Sequence, residues 1–417
     1  MKKLLIFILS AAMLLSFAAC NKGSGEETDM TTQATTTEET TAAGTTSGES
    51  TEATTEETTA VTTEETTEET TEETAEDIAV ISPEDNTKLI LANDDVYGWW
   101  DTFNWKKTDS SEFYQHADIY FPVPVDFEWE AVEGADYYRV YLSTDKNMTE
   151  VESYVVNENK LSLSTLFTGK TYYWQIDAVR AEETVRSSVH SFRTAKSPRT
   201  IKVEGVSNTR DAGGYEGLDG RRMKQGMLYR GGKLEEITEN GIMTFHDIIG
   251  IKTDLDLRTV GEGGAGVKSP LGDDVKYINL DGRYYVGDKG ISNEKGMEII
   301  ADEIRVFTDP ANYPVYIHCS LGRDRTGTIV LLLQGLVGVS KTDIMMDYEL
   351  SIFSVTGTLD NASIEALRNN IQATYNYLSN TYEGDSFAEK VENYLLDCGI
   401  TAEEIQTLRD ILLEEAQ

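Results

Sequence analysis

The chain has 417 residues and a formal net charge of −37, enough for two or three domains. Residues 21–80 hold 17 Asp and Glu against Lys22 alone, and once Lys2 and Lys3 are counted residues 81–417 still carry −23. So acidic a surface disfavours nucleic acid as a partner and offers no general attraction to anionic lipid, so an anionic substrate has to be held by local cations.

Residues 1–20 open with Lys2 and Lys3, run through an apolar stretch too short to span a membrane comfortably, and close on Ala18-Ala19-Cys20, the layout of an export signal. The ending resembles that of bacterial lipoprotein signals, which implies lipidation of Cys20, a membrane contact through that lipid, and a location on the outer face of the cell membrane. Ser16-Phe17-Ala18 leaves an ordinary cleaved signal as the alternative. Only Cys319 and Cys398 then remain, so a disulfide framework is not expected, and a lone exported thiol calls for a reason such as catalysis.

Residues 21–77 are dominated by Thr and Glu, with a tandem Thr-Thr-Glu-Glu pattern. They cannot bury a core and read as a disordered, charge-extended stalk.

Residues 78–195 change to short alternating apolar runs, including Phe127-Glu128-Trp129, the run 138–142 and the run 172–179, with Trp174, Ile176 and Ala178 on one face. This predicts an all-β sandwich of seven or so strands. Trp129, the run 138–142 and Leu166-x-x-Gly169-x-Thr171-Tyr172 resemble a fibronectin type III domain, which implies a core position for Trp129 and a tyrosine corner at Tyr172. The cluster Tyr97-Gly98-Trp99-Trp100 with Trp105 reads first as packing against the neighbouring domain and second as a ligand surface.

Residues 196–417 alternate short apolar runs with amphipathic stretches, an α/β pattern. Strands are predicted over 251–257, 275–280 and 313–318, a buried helix over 326–339, and two helices within 386–415 broken near Gly399, with Thr401 and Glu404 at capping-box spacing.

Between the third of these strands and the buried helix lies His318-Cys319-Ser320-Leu321-Gly322-Arg323-Asp324-Arg325-Thr326-Gly327. A strand ending in cysteine, followed by a tight loop that opens a helix, aims backbone N–H groups and the positive helix end at one point, where a phosphate dianion fits and a thiolate is stabilised. Cys319 is the candidate nucleophile and Arg325 the fork for two phosphate oxygens. Gly322 allows the turn, and Thr326 can place a hydroxyl near the sulfur. His318, Ser320, Leu321, Gly322 and Arg323 form the rest of the substrate-binding loop.

The segment matches the Cys-x5-Arg signature of protein tyrosine phosphatases. With Asn208-Thr209-Arg210-Asp211-Ala212-Gly213-Gly214-Tyr215, Leu228-Tyr229-Arg230-Gly231-Gly232 and Asp256-Leu257-Arg258, it resembles the bacterial branch of dual protein and lipid specificity over residues 208–413. The resemblance implies a tyrosine-phosphatase-like α/β catalytic domain with a central sheet and surrounding helices. It also implies hydrolysis of phosphate monoesters, foremost protein phosphotyrosine, through a phosphocysteine, with Arg210, Asp211 and Arg258 in support of the loop. A general acid is needed as well. Asp281, just after the strand 275–280, is the first choice, Asp324 beside Arg325 the second, and Asp288 the third.

No metal or cofactor is expected, His116, His190 and His246 read as structural, and a monomer is expected. Arg323, where the branch often has Lys, could bind a second phosphate, so a phosphoinositide or inositol phosphate substrate stays open. A surface binding protein with a dead phosphatase fold is the reading from another class.

Overall fold

Side chains on a strand alternate between its faces, and from residue 78 onward that alternation decides the first half of the molecule. The computed structural model describes residues 78–106, 120–181, 183–354 and 361–415, with the backbone alone for 361–367. The signal and stalk expected over 1–77, with Cys20, and His116 lie outside the described residues.

Among the described residues nine strands form two sheets: β1 (Val80–Ser82), β2 (Thr87–Leu89), β3 (Val125–Trp129), β4 (Tyr137–Ser143), β5 (Glu152–Val156), β6 (Lys160–Leu163), β7 (Thr171–Val179), β8 (Thr184–Arg186) and β9 (His190–Thr194). The smaller has the order β1-β3-β6, the larger β2-β9-β7-β4-β5 with β8 also on β7. Phe127, Trp129, Trp174, Ile176, Ala178 and Phe192 are all fully buried in one core between the strands. Phe127 meets Trp174 and Phe192 edge-on at 4.9 and 5.7 Å, the geometry that aromatic quadrupoles favour. The hydroxyl of Tyr172 accepts the Phe167 N–H at 2.7 Å, tying the strand to the turn before it.

The second half is built on a five-stranded sheet of β10 (Arg210–Asp211), β11 (Leu228–Gly231), β12 (Thr253–Asp256), β13 (Lys276–Asn279) and β14 (Val315–His318), in the order β10-β11-β14-β12-β13. β11, β14, β12 and β13 are parallel, and His318 is level with both Gly231 and Asp256. The last strand in sequence lies between two earlier ones, so the loops following β11, β12 and β14 meet at one edge. That edge, at the carboxyl ends of parallel strands where their order switches, is where open α/β sheets bind ligands.

In chain order the helices are α1 (Asp94–Thr102), α2 (Glu239–Met243), α3 (Asp288–Ile291), α4 (Glu294–Val306), α5 (Asp324–Leu336), α6 (Lys341–Glu349), α7 (Asn361–Thr381), α8 (Phe387–Asp397) and α9 (Ala402–Leu412). Every residue of α5 from Thr326 onward is buried, because the helix packs against α4, α6, α7 and α8. The 326–339 run therefore has no polar face. Thr401 and Glu404 form the expected capping box at the start of α9, and no described helix is long and apolar enough to cross a membrane.

The two halves are joined by more than a linker. Ala92, Val96, Trp99, Phe103 and Tyr120, from the segment between β2 and β3, lie in the same hydrophobic cluster as α5 and β14. Trp99 meets Phe353 edge-on at 5.1 Å, and Lys341 Nζ lies 3.9 Å over the Trp105 ring. The aromatic cluster thus packs against the neighbouring core, and a boundary at 195/196 does not separate the two cores. Arg199 bridges them, donating to Asp211 and Tyr229 on one side and to the Leu166 carbonyl on the other.

Replacing Trp99 with Ala should destabilise the intact chain to urea by about 3–5 kcal/mol, the usual range for a buried large aromatic. A loss below about 0.5 kcal/mol, the surface value, would show that this segment is only loosely applied.

Candidate active site

The loop after β14 is shaped by where its carbonyls go. The Ser320 carbonyl accepts from Lys233 N–H at 3.2 Å, and the Leu321 carbonyl accepts from Asn208 Nδ2 at 2.8 Å. Gly322 O accepts from Arg230 Nη2 at 2.9 Å, and the same nitrogen reaches Arg323 O at 3.2 Å. With its carbonyls held by donors from elsewhere in the fold, the loop directs the N–H groups of Arg323 and Thr326 at Cys319, the arrangement of an anion nest.

Those donors are themselves fixed. Asp347, buried on α6, takes Arg230 Nη1 and Arg210 Nε on its two oxygens, and Arg210 Nη1 reaches Asn208 Oδ1 at 2.6 Å. Burial works to raise the Asp347 carboxyl, but the two guanidinium groups outweigh it and hold it below the ordinary value. Such a cluster is stable only while every member is satisfied.

Gly322 has φ +65°, and a Cβ there would lie 2.0 Å from the Gly231 carbonyl. A side chain at Gly231 would in turn meet the Tyr316 hydroxyl at 2.3 Å. The two glycines let the loops after β11 and β14 touch, which explains the Leu-Tyr-Arg-Gly-Gly segment physically.

Cys319 is 4% exposed. Burial pushes its thiol up, but the Thr326 hydroxyl, the Arg325 guanidinium and the N–H groups of Thr326 and Arg323 outweigh that and leave it below the ordinary value. His318 faces Asp254 Oδ1 at 2.9 Å. Desolvation lowers its pKa, yet the Asp254 charge and hydrogen bond win and the net shift is upward.

Arg325 donates to Leu257 O at 3.2 Å and to both oxygens of Glu262 at 2.8 and 2.5 Å. Ser320 Oγ donates to the same carboxylate at 2.9 Å. The hydrogen bonds from Arg325 are the main reason the Glu262 carboxyl falls to about 2. Glu262 thereby fixes the Nη1/Nη2 edge of the guanidinium; on the other edge Nη2 has only a long bond to Ser320 Oγ at 3.4 Å, which an oxyanion can displace. Nothing in the sequence reading singled out Glu262; its one signal was a carboxylate set among glycines, Gly261-Glu262-Gly263-Gly264, just after the Asp256-Leu257-Arg258 strand end.

The three acid candidates are placed differently. Asp281 follows β13, accepts from Thr259 Oγ1 at 3.0 Å and pairs with Arg283 at 2.9 Å, so it joins the loop carrying Glu262. Asp324 has both oxygens engaged, one by the Tyr348 hydroxyl at 2.5 Å and the other by Arg323 Nε at 3.2 Å. Asp288 starts α3 and is exposed. Arg258 grips Asp256 at 2.9 and 2.7 Å and Glu235 at 2.7 Å, a strut at the end of β12. Cys398 is a half-buried free thiol pushed up to about 12 by burial.

A further carboxyl lies behind Asp281. Glu303 on α4 is fully buried beside Tyr285, and burial holds it well above the ordinary glutamate range. The Tyr285 hydroxyl lies against Gly282, where a Cβ would be 2.4 Å away.

A buried thiol of lowered pKa in a loop whose carbonyls are held from elsewhere in the fold, with a half-occupied guanidinium beside it, defines a thiol-centred oxyanion site on an α/β fold. Residues 201–414 match the tyrosine phosphatase family, and the chain belongs to that family. Among similar proteins, one of Cupriavidus necator named as a tyrosine-protein phosphatase is 27% identical over 37% of this chain and 66% of its own length. Another of Dictyostelium discoideum, named likewise, is 35% identical over 19% of this chain and 47% of its own. The chain thus spans just under two thirds and about half of these relatives. The core catalytic domain of the PP-IP phosphatase Siw14 from S. cerevisiae is 21% identical, over 36% of this chain and 89% of that one, with a TM-score of 0.24. The fn3 domain of human collagen alpha-1(XX) chain is 24% identical, over 18% and 73%, with a TM-score of 0.17.

Two expectations follow. Because folded Glu303 keeps its proton above the unfolded value of about 4.3, the wild type should lose stability as pH rises from there toward the raised folded value. Glu303→Gln should then be more stable than wild type at pH 7 and equal to it near pH 4 in denaturation at both pH values; parallel curves would contradict this. Glu262→Gln should weaken binding of inorganic phosphate by about 5- to 20-fold, since a charge-assisted bond of about 1–2 kcal/mol holds the fork in place; unchanged calorimetric affinity would show that the fork needs no such anchor.

Proposed function

We propose that the protein hydrolyses phosphate monoesters, foremost phosphotyrosine in proteins, by covalent catalysis on Cys319. The Cys319 thiolate attacks phosphorus, the bond to the leaving oxygen breaks, and that oxygen departs with the electron pair and a proton from Asp281. Arg325 and the loop N–H groups bear the charge on the transferring oxygens. Water, giving its proton to Asp281, then attacks phosphorus; the S–P bond breaks, phosphate leaves and the thiolate returns, with Thr326 Oγ1 beside the sulfur. Asp324, held by the Tyr348 hydroxyl and by Arg323 Nε, serves in this reading as an anchor for those two side chains.

The observation behind the substrate class is the rim. Val260 at 66%, Tyr284 at 43% and Leu321 at 40% exposure follow β12, β13 and β14, respectively, in the loops beyond the sheet edge that carries Cys319, and in this reading they form an apolar rim to the thiol site. Such a rim suits an aryl ester better than an inositol. A phosphoinositide reading rests on Arg323, whose buried Nη1 has no hydrogen-bond partner among the described residues and suits a second phosphate.

The fibronectin type III-like character of the first sandwich, supported by buried Trp129 and the Tyr172 hydroxyl bond, belongs to the same proposal. So does a tether through Cys20 that holds the enzyme on the outer face of the membrane.

The test is hydrolysis by the intact chain of a phosphotyrosine peptide beside a panel of phosphoinositides. The peptide should be turned over faster, Cys319→Ser should abolish turnover, and Asp281→Asn should lower it by the 10²–10⁴-fold range of a lost general acid, as an order of magnitude. Preference for the lipids would move the substrate to the second reading. Turnover of nothing by reduced, folded protein would leave a binding module.

A further inference from the structure

The hydrogen bonds beneath the phosphate loop do not end in the phosphatase half. Tyr120, 2% exposed and contributed by the segment between β2 and β3, donates its hydroxyl to Thr209 O at 3.1 Å and accepts from Arg210 Nη1 at 3.4 Å. The same Arg210 nitrogen donates to Asn208 Oδ1 at 2.6 Å. That bond orients the Asn208 amide so that Nδ2 faces Leu321 O at 2.8 Å and Gly322 O at 3.3 Å.

Asn208 itself has φ +61°, a conformation a non-glycine residue holds only when its surroundings impose it. On one side the hydroxyls of Ser351 and Ser354, beyond α6, bond its amide and its backbone N–H. On the other side Tyr120 pins the next carbonyl. We propose that Tyr120 is a positioning residue for the phosphate loop, so that the N-terminal sandwich, through the segment it sends across, completes the active site as well as carrying it.

Tyr120→Phe removes one oxygen and leaves the ring in its packing. It leaves the Thr209 carbonyl without that donor and Arg210 with one acceptor fewer. Asn208 keeps its bonds to Arg210, Ser351 and Ser354 and Gly322 O keeps Arg230, but the carbonyl and the guanidinium on either side of the Asn208 amide each lose one tie, so the amide is held less firmly against Leu321 O and Gly322 O. The expected consequence is a loop less ready to receive an oxyanion. This rests on the phosphatase reading for its meaning in turnover, but not for its measurement.

The experiment uses the intact chain and two readouts besides activity: calorimetric affinity for tungstate, and titration of the Cys319 thiolate by its ultraviolet absorbance. Tyr120→Phe should weaken tungstate binding about 3- to 10-fold, the scale of one net hydrogen bond, and should move the thiolate titration to higher pH. kcat should fall more than KM rises. Tyr138→Phe is the control, since its buried hydroxyl accepts from Val132 N–H inside the sandwich and touches nothing in the site. That variant should lose stability while its tungstate affinity and thiolate titration stay at the wild-type values. A folded Tyr120→Phe protein with wild-type tungstate affinity and titration would overturn the proposal, as would equal effects from both variants. If the wild type turns over no phosphate ester but the tungstate difference is present, the functional reading fails and this one stands.

Discussion

A backbone loop that binds an anion must turn its carbonyls away from it, and everything around Cys319 follows from finding partners for those carbonyls. At buried Gly322 water cannot supply one, and an unpaired buried carbonyl costs on the order of 1–3 kcal/mol; the other carbonyls of the loop are partly covered. The fold answers with Asn208, Lys233 and Arg230, brought in from the segments around β10 and β11. Two buried arginines then need an anion, and Asp347 is shared between them. The cluster holds the loop from beneath, while Arg325, Thr326 and the N–H of Arg323 favour the thiolate directly.

The same logic orders the carboxylates. Glu262 is exposed enough to stay ionised and close enough to hold Arg325 by one edge. Asp281 sits at the rim with a hydroxyl and an arginine for partners. Glu303, with no ion pair among the described residues, is pushed by burial well above the ordinary range. Solvent access and the presence or absence of a paired arginine thus separate Glu262 from Glu303.

The parts of this design that are contiguous in the chain were legible in the sequence. The β14 strand, the Cys319 loop and the α5 helix follow one another, and the apolar run of α5 has a length and composition that only burial explains. The alternation of the first half gave its strands for the same reason. What could not be read was anything made by distant contact. Asp347 lies 137 residues from Arg210, and on α6 it resembles any surface aspartate. Glu303 sits in a helix that reads as amphipathic, so its burial was invisible. The segment between β2 and β3 was assigned with the sandwich, because nothing in it announces that Trp99 and Tyr120 enter the other core. Glu262 escaped because its role depends on Arg325, 63 residues away.

The central claim is that the preorganised loop makes Cys319 a nucleophile toward phosphorus. Its most direct test is rapid quenching of the intact protein with a phosphotyrosine peptide, followed by mass spectrometry of the active-site peptide. The account predicts a phosphoryl adduct on Cys319 that forms and decays within the time of turnover. Steady hydrolysis with no adduct on that sulfur at any quench time, and with activity surviving in Cys319→Ser, would contradict it.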